Sequence, residues 1–91
     1  MIRLLARDLA IDLGTANTIV YEKGKGIILN EPSIIAVKQQ GSTRVPVAFG
    51  SEAKVMLGRT PDGVKVIRPV RTGVIADFEA AGLMLGHFIS R

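Results

Sequence analysis

Apolar and polar residues alternate along the first third of the chain in the pattern of β-strands. Residues 9–13 alternate leucine or isoleucine with alanine or aspartate, as expected of a half-buried strand. Two further apolar runs follow at residues 18–21 and 27–29, and a glycine-containing turn precedes each of them. The pattern predicts a three-stranded antiparallel meander in this part of the chain.

The middle of the chain contains further short apolar runs separated by turn residues. Residues 33–37 and 45–49 flank a polar turn, which is typical of two paired strands. Pro46 cannot donate to a strand ladder, so the second of these runs is predicted to lie at a sheet edge. Residues 64–68 predict another strand, and the pair at 74–75 predicts a short extended piece.

Two helices are predicted in the second half of the chain. Residues 51–57 are helix formers, with Ser51 as a possible N-cap and Gly58 as a natural stop. Asp77 is predicted to cap the last helix, on which His87 takes a solvated position. The predicted apolar stripe of that helix comprises Phe78, Ala81, Gly82, Leu85, Phe88 and Ile89. No later element covers the stripe, so we expect the chain to be the N-terminal piece of a larger fold.

The turn after the first strand has the chemistry of a phosphate site. Asp12 lies near the end of an apolar strand, on the opposite face from the leucine and isoleucine side chains. Gly14, Thr15, Ala16 and Asn17 then form a turn of small residues. Successive backbone amides in such a turn can bind anionic oxygens, and a carboxylate beside them can hold a divalent cation.

An ordinary hairpin explains the same turn without any ligand, because glycine and asparagine satisfy turn geometry. The carboxylate favours the phosphate site, since a buried Asp12 needs a partner or a metal. Other phosphate signatures are missing from the sequence. No GxxxxGK[ST] motif occurs, and the glycines at residues 24–26 lack the third glycine of a dinucleotide fingerprint.

Composition narrows the class of protein. The chain has 91 residues, is 47% hydrophobic and carries a net charge of +4, which suits one small folded domain. Its basic residues are scattered and it has one Tyr and no Trp, so nucleic-acid binding is disfavoured. The absence of Cys excludes disulfides, thiolate metal sites and cysteine nucleophiles.

The first seven residues allow two interpretations. They combine charged and apolar side chains, namely Met1, Ile2, Arg3, Leu4, Leu5 and Arg7. One interpretation is a short amphipathic turn lying on an anionic membrane surface. The other is a frayed lead-in to the first strand. The charges interrupt any signal-peptide core, and no run in the chain approaches the length that spans a bilayer.

Several motifs taken in order resemble the MreB/Mbl family of bacterial actin-like proteins. IDLGT at residues 11–15 is shared across the actin-like superfamily, whereas NEPS at 30–33, GRTP at 58–61 and GVIADF at 73–78 are more particular. The resemblance covers almost the whole chain. It implies an α/β fold, α+β within this segment, that forms the N-terminal part of an actin-like (ribonuclease-H-like) ATPase.

The resemblance also implies a function. Family members bind ATP and Mg²⁺, polymerise into filaments and organise wall elongation at the inner face of the cytoplasmic membrane. Here Asp12 would position the magnesium, and Gly14, Thr15, Ala16 and Asn17 would bind the phosphates. The implied partners are further copies of the chain, the inner membrane surface and wall-elongation proteins.

Three parts are expected within the chain. Residues 1–30 would form the first core strands with the phosphate loop, residues 31–76 a smaller α+β subdomain, and residues 77–91 a helix returning to the core. Family members hydrolyse ATP in a cleft between two halves, so one half-site is not expected to do so alone. The alternatives are a chaperone-type or sugar-kinase-type ATPase of the same superfamily, and an interaction fragment that uses no nucleotide.

Overall fold

A four-stranded antiparallel sheet forms the first part of the molecule. The computed structural model describes residues 2–5 and 8–90. The strands are β1 (Ile2–Leu5), β2 (Leu9–Leu13), β3 (Asn17–Glu22) and β4 (Gly26–Pro32), in the order β1-β2-β3-β4. The predicted meander is therefore present as β2 to β4, but the sheet has one strand more than predicted.

The additional strand corrects the interpretation of the N-terminal residues. Residues 2–5 are neither an amphipathic turn nor a frayed lead-in, because they pair along β2 with Ile2 opposite Leu13 and Arg3 opposite Asp12. An isolated two-turn helix is marginal in water, whereas the open edge of β2 offers backbone partners to a strand. Met1 and Arg7, which the amphipathic interpretation also used, lie outside the described residues.

A second sheet follows the first. It consists of β5 (Ile35–Gln40), β6 (Thr43–Phe49) and β7 (Val64–Ile67), all antiparallel and ordered β6-β5-β7. Pro46 lies on the outer strand, as predicted. The strand predicted at 33–37 begins two residues later than expected, because Ser33 and Ile34 form the connection between the two sheets.

The short helix α1 (Ser51–Lys54) begins differently from the prediction. Its N-cap is Gly50, not Ser51, so the cap residue has no side chain that could bond to the helix. The carboxylate of Glu31 instead accepts a hydrogen bond from the backbone N–H of Ser51, at 2.9 Å. Turns continue the chain to Gly58, which has a φ of 77°, so the regular helix is shorter than predicted.

The final elements are the hairpin of β8 (Val70–Arg71) and β9 (Val74–Ile75), followed by helix α2 (Phe78–Ile89). Asp77 caps α2 as predicted, since its side chain accepts a hydrogen bond from Ala80 N–H at 3.0 Å. The predicted apolar stripe is wrong in part. Phe78, Gly82 and Ile89 are exposed, and the buried residues are Ala80, Ala81, Met84 and Phe88.

The buried face of α2 is set by contacts with both sheets. Met84 and Phe88 pack with Leu13 of the first sheet, while Ala80 packs with Ile35 and other apolar side chains of the second. Residues spaced four apart on a helix share one face. The face centred on residues 80, 84 and 88 therefore lies toward the core, and the ends of the predicted stripe turn away from it.

His87 also differs from its prediction. Its ring is half-buried and stacks on Phe49 of β6, with ring centroids 3.9 Å apart and planes within 3° of parallel. Aromatic stacking of this kind fixes the flank of a helix against a neighbouring strand. His87 is thus a packing residue at the junction of α2 with the second sheet.

Arg44 joins β6 to the start of α2. Its guanidinium makes two bonds of 2.9 Å to the carboxylate of Asp77, and its Nε lies 2.6 Å from Glu79 Oε1. A guanidinium held by two carboxylates in a fork geometry is a specific contact. The cluster fixes the end of α2 that carries no large buried side chain.

This cluster predicts an acid-sensitive component of stability. Hydrogen bonds from Arg44 and from Ala80 N–H lower the pKa of Asp77 from 3.8 to about 2. Because the folded pKa lies below the unfolded one, the stabilisation is complete above about pH 4 and is lost as the pH falls toward 2. Asp77→Asn keeps an oxygen that can accept the cap hydrogen bond but removes the titrating carboxylate. We therefore expect the free energy of unfolding in urea to depend less steeply on pH between about 4 and 2 in this variant than in the parent. Asp62→Asn in an exposed turn is the control, and an unchanged slope in Asp77→Asn would contradict the assignment.

Within the described residues, no helix is both long enough and apolar enough to cross a bilayer.

The first sheet ends at Pro32, the second sheet runs from Ile35 to Ile67, and α2 begins at Phe78. The division of the chain at 30 and 76 stays a prediction.

Candidate phosphate-binding loop

The loop between β2 and β3 is short, tight and open to solvent. Residues 14–16 connect the strands, and Gly14 N–H donates to the carbonyl of Asn17 at 3.0 Å. A Cβ on Gly14 would lie 2.7 Å from that carbonyl oxygen. This contact is too short, and the backbone of the turn would have to shift to accommodate a side chain. Thr15, Ala16 and Asn17 are exposed. The turn is therefore closed on its inner side by backbone and uncovered on its outer side.

The base of the loop is fixed by the connection between the two sheets. The carbonyl of Ala16 accepts a hydrogen bond from Ser33 N–H at 2.9 Å, and the hydroxyls of Thr18 and Ser33 are 2.8 Å apart in a buried position. The side-chain amide of Asn17 donates to Asn30 Oδ1 at 3.0 Å. These contacts explain part of the NEPS motif, because two of its four residues hold the loop.

The hairpin of β8 and β9 contacts the tip of the loop. Gly73 N–H donates to Thr15 Oγ1 at 3.0 Å. Thr72 and Gly73 have φ values of 50° and 75°, the conformation of a type I′ turn. A hydroxyl that accepts a hydrogen bond still has its own proton to donate. Thr15 is thus held in place while its O–H is available to an acceptor outside the loop.

Backbone donors are also available at the loop. Among the residues that the structure describes, the amides of Thr15 and Ala16 have no hydrogen-bond partner. Both residues are exposed. Unpaired amides in adjacent positions of a turn attract anionic oxygens.

Asp12 lies beside the loop but is already paired. Asp12 as a whole is 7% exposed, and its Oδ1 accepts a hydrogen bond from Arg3 Nε at 2.9 Å. The same contact raises the pKa of the Arg3 guanidinium above its ordinary value. Asp12 is on the face opposite Ile11 and Leu13, as the alternation predicts. The sequence does not predict Arg3 as its partner, because that pairing depends on the unpredicted strand β1.

The donor set at Asp12 suits one kind of metal binding. In the described part of the chain, no group of three or more histidine, cysteine or acidic side chains is arranged to hold a metal ion. Mg²⁺ differs from metals that need such a cage, since it keeps several waters and binds through one or two carboxylates together with substrate phosphates. A single carboxylate next to an open, amide-lined turn fits that mode.

Comparison with known proteins identifies the family. A protein-family model described as MreB/Mbl protein matches residues 6–91 of the chain. The chain is 53% identical over 90 residues to the cell shape-determining protein MreB of Escherichia coli (strain K12), which covers 97% of this chain and 26% of that protein. It is also 53% identical over 88 residues to the cell shape-determining protein Mbl of Bacillus subtilis (strain 168), with the same coverage.

Solved structures agree with the sequence comparison. MreB5 of Spiroplasma citri bound to ADP matches with a TM-score of 0.78 and 42% identity, over 89% of this chain and 24% of that one. The same protein bound to AMPPNP gives a TM-score of 0.79 and 41% identity, with the same coverage. The predicted actin-like fold is confirmed, and the chain spans about a quarter of the length of the relatives it matches. The chain therefore belongs to the MreB/Mbl protein family.

Proposed function

We propose that this chain supplies the first phosphate loop of an ATP-binding, filament-forming cytoskeletal protein that directs cell shape and wall elongation. The observation that carries the proposal is the turn at residues 14–16, in which the exposed Thr15 and Ala16 have unpaired amides and the Thr15 hydroxyl keeps its proton to donate, next to the buried carboxylate of Asp12. Relatives named for cell-shape determination, and a related MreB5 bound to ADP and to AMPPNP, support it.

Each residue of the loop has a proposed role. Gly14 lets the turn close tightly enough to present its amides, and Thr15 and Ala16 donate backbone N–H groups to phosphate oxygens. The Thr15 hydroxyl adds a neutral donor, and Asn17 supplies its side-chain amide at the rim. Asp12 would hold Mg²⁺ through water, and the bound ion would neutralise charge on the phosphates.

The remaining roles belong to the whole protein. We propose self-association into filaments and a location at the inner face of the cytoplasmic membrane, in contact with wall-elongation proteins. Support comes from the relatives, which are named cell shape-determining proteins. Residues 2–5 are not proposed as the membrane contact, because they form β1.

Binding of ATP by the 91-residue chain tests the proposal. Thr15→Val removes one hydroxyl donor, so we expect about tenfold weaker binding of MgATP, the effect of about 1.4 kcal/mol, in calorimetric titration. Thr60→Val, at an exposed position in the segment between α1 and β7, is the matched control and should bind as the parent does. Phosphate release should stay at background level, because phosphoryl transfer requires groups on several sides of the nucleotide.

Either of two results would contradict the proposal. One is a parent chain that folds but binds no ATP at millimolar concentration. The other is equal weakening of ATP binding by Thr15→Val and Thr60→Val, which would show that the loop is not where the nucleotide contacts the chain.

A further inference from the structure

We propose that Arg3 is an internal counter-ion for Asp12 that a divalent cation must displace, so that Arg3 sets the magnesium affinity of the loop. The inference rests on the proposed function, since it concerns the same carboxylate. It adds a competition between two cations for one acceptor. Nothing in the loop motif itself specifies this competition, because Arg3 lies on a different strand.

The register of the first sheet places the two side chains together. Arg3 is directly opposite Asp12 in the antiparallel pair of β1 and β2, and directly opposed residues project from the same face of a sheet. The guanidinium Nε lies 2.9 Å from Asp12 Oδ1. The contact is therefore built into the pairing of the strands.

The two partners differ in their exposure to solvent. The side chain of Asp12 is 9% exposed, whereas that of Arg3 is 60% exposed. A buried carboxylate without a partner is costly, so Asp12 requires a cation or donors at all times. Arg3 can return to water at little cost, because most of its side chain is already there. Exchange of one cation for another is thus easier than loss of both.

The strand itself need not move when Arg3 is released. Ile2 packs against the core cluster that contains Leu13 and Met84, and it pairs with Leu13 across the strands. The Arg3 side chain projects from the other face. A swing of this side chain would uncover Asp12 while β1 remains paired.

Arg3 and a divalent cation cannot occupy the carboxylate together without cost. Like charges a few ångströms apart repel each other, and the repulsion is strongest where burial lowers the local dielectric. Removal of the arginine charge should therefore tighten cation binding and leave Asp12 dependent on the cation for neutralisation.

Calorimetric titration of the 91-residue chain with Mg²⁺ alone tests this competition. We expect Arg3→Gln to bind Mg²⁺ about tenfold more tightly than the parent, and Arg3→Lys, which keeps the charge, to stay close to the parent. Arg59→Gln, an exposed arginine in the turn after α1, is the matched control and should change nothing. The double variant Arg3→Gln with Asp12→Asn should lose the gain.

Thermal unfolding and NMR add independent measurements. In a chelator, Arg3→Gln should melt at a lower temperature than the parent, and Mg²⁺ should abolish this difference. In the unmutated chain, Mg²⁺ should shift the Nε–H resonance of Arg3 toward that of a solvated arginine. This last measurement needs no variant, so it decides the matter even if Arg3→Gln fails to fold without the cation.

The outcomes separate this inference from the proposed function. An Arg3 resonance that does not respond to Mg²⁺, or equal Mg²⁺ affinity in parent and Arg3→Gln, overturns the competition even where MgATP binds normally. Tighter Mg²⁺ binding by Arg3→Gln in a chain that binds no ATP supports the competition and overturns the proposed nucleotide site.

Discussion

Asp12→Ala is expected to weaken magnesium-dependent ATP binding by about 1.5–3 kcal/mol, the amount typical of losing a charged contact. The reason is the position of the carboxylate, which is buried beside an open turn whose amides have no partner among the described residues. Titrations of ATP with Mg²⁺ and with a chelator would measure the effect. The difference between the two conditions should disappear in the variant, because the group that makes binding depend on the ion is gone.

Asp62→Ala provides the matched control for Asp12→Ala. Asp62 is an exposed carboxylate in the turn before β7, so its removal changes net charge equally without touching the loop. The control should keep both titration curves of the parent. If Asp12→Ala keeps them as well, Asp12 does not hold the ion. Unfolding curves should accompany the titrations, since Asp12→Ala also removes the partner of Arg3.

Gly14→Ala is expected to destabilise the chain by about 1–3 kcal/mol, the usual cost of forcing extra atoms into a packed position. The new Cβ would lie 2.7 Å from the carbonyl oxygen of Asn17, the same oxygen that closes the turn by accepting from Gly14 N–H. Relief requires the turn to open, which would also misplace its amides. Urea unfolding and MgATP titration should therefore change together.

A second glycine gives the opposite expectation and serves as the control. Gly82 lies on the exposed side of α2, and a Cβ there meets nothing within 4 Å. Because alanine is the better helix former, Gly82→Ala should stabilise the chain by about 0.5–1 kcal/mol. ATP binding should not change. Equal effects of the two glycine substitutions would remove the assigned role of Gly14 in closing the turn.

The sequence predicted most local elements of this fold and the pairing of neighbouring strands within β2 to β4 and between β5 and β6. Alternation over residues 9–13, the proline of β6 and the capping aspartate of α2 are short-range signals, and each was confirmed by the structure. The strand β1 was missed because its four residues are too few to show a period. Its existence depends on the edge that β2 presents, which is a tertiary property.

Errors on α2 have the same origin. Helical spacing predicts that an apolar stripe exists, but the sheets decide which arc is buried. The predicted stripe does not include Ala80, yet Ala80 packs against the second sheet, while Phe78 is 78% exposed. His87 looked solvated on the helix alone, and only the position of Phe49 makes it a stacking residue.

The sequence predicted those residues of the candidate site that follow one another along the chain. Residues 12 and 14–17 belong to one run of sequence, and the structure places them in one turn and the strand ends beside it. Arg3, Ser33 and Gly73 contact this run from distant positions. No short motif reports such contacts, because they arise only when β1, the sheet connection and the last hairpin come together.

Helix α2 packs on both sheets at once, through Met84 and Phe88 on one side and Ala80 on the other. The two sheets therefore share contacts with one helix. Free energy gained by a ligand at the turn would be distributed through this helix, so occupancy would slow hydrogen exchange in β5 as well as near the turn. Ligand binding at the turn would in this way reduce local opening of the backbone in both sheets.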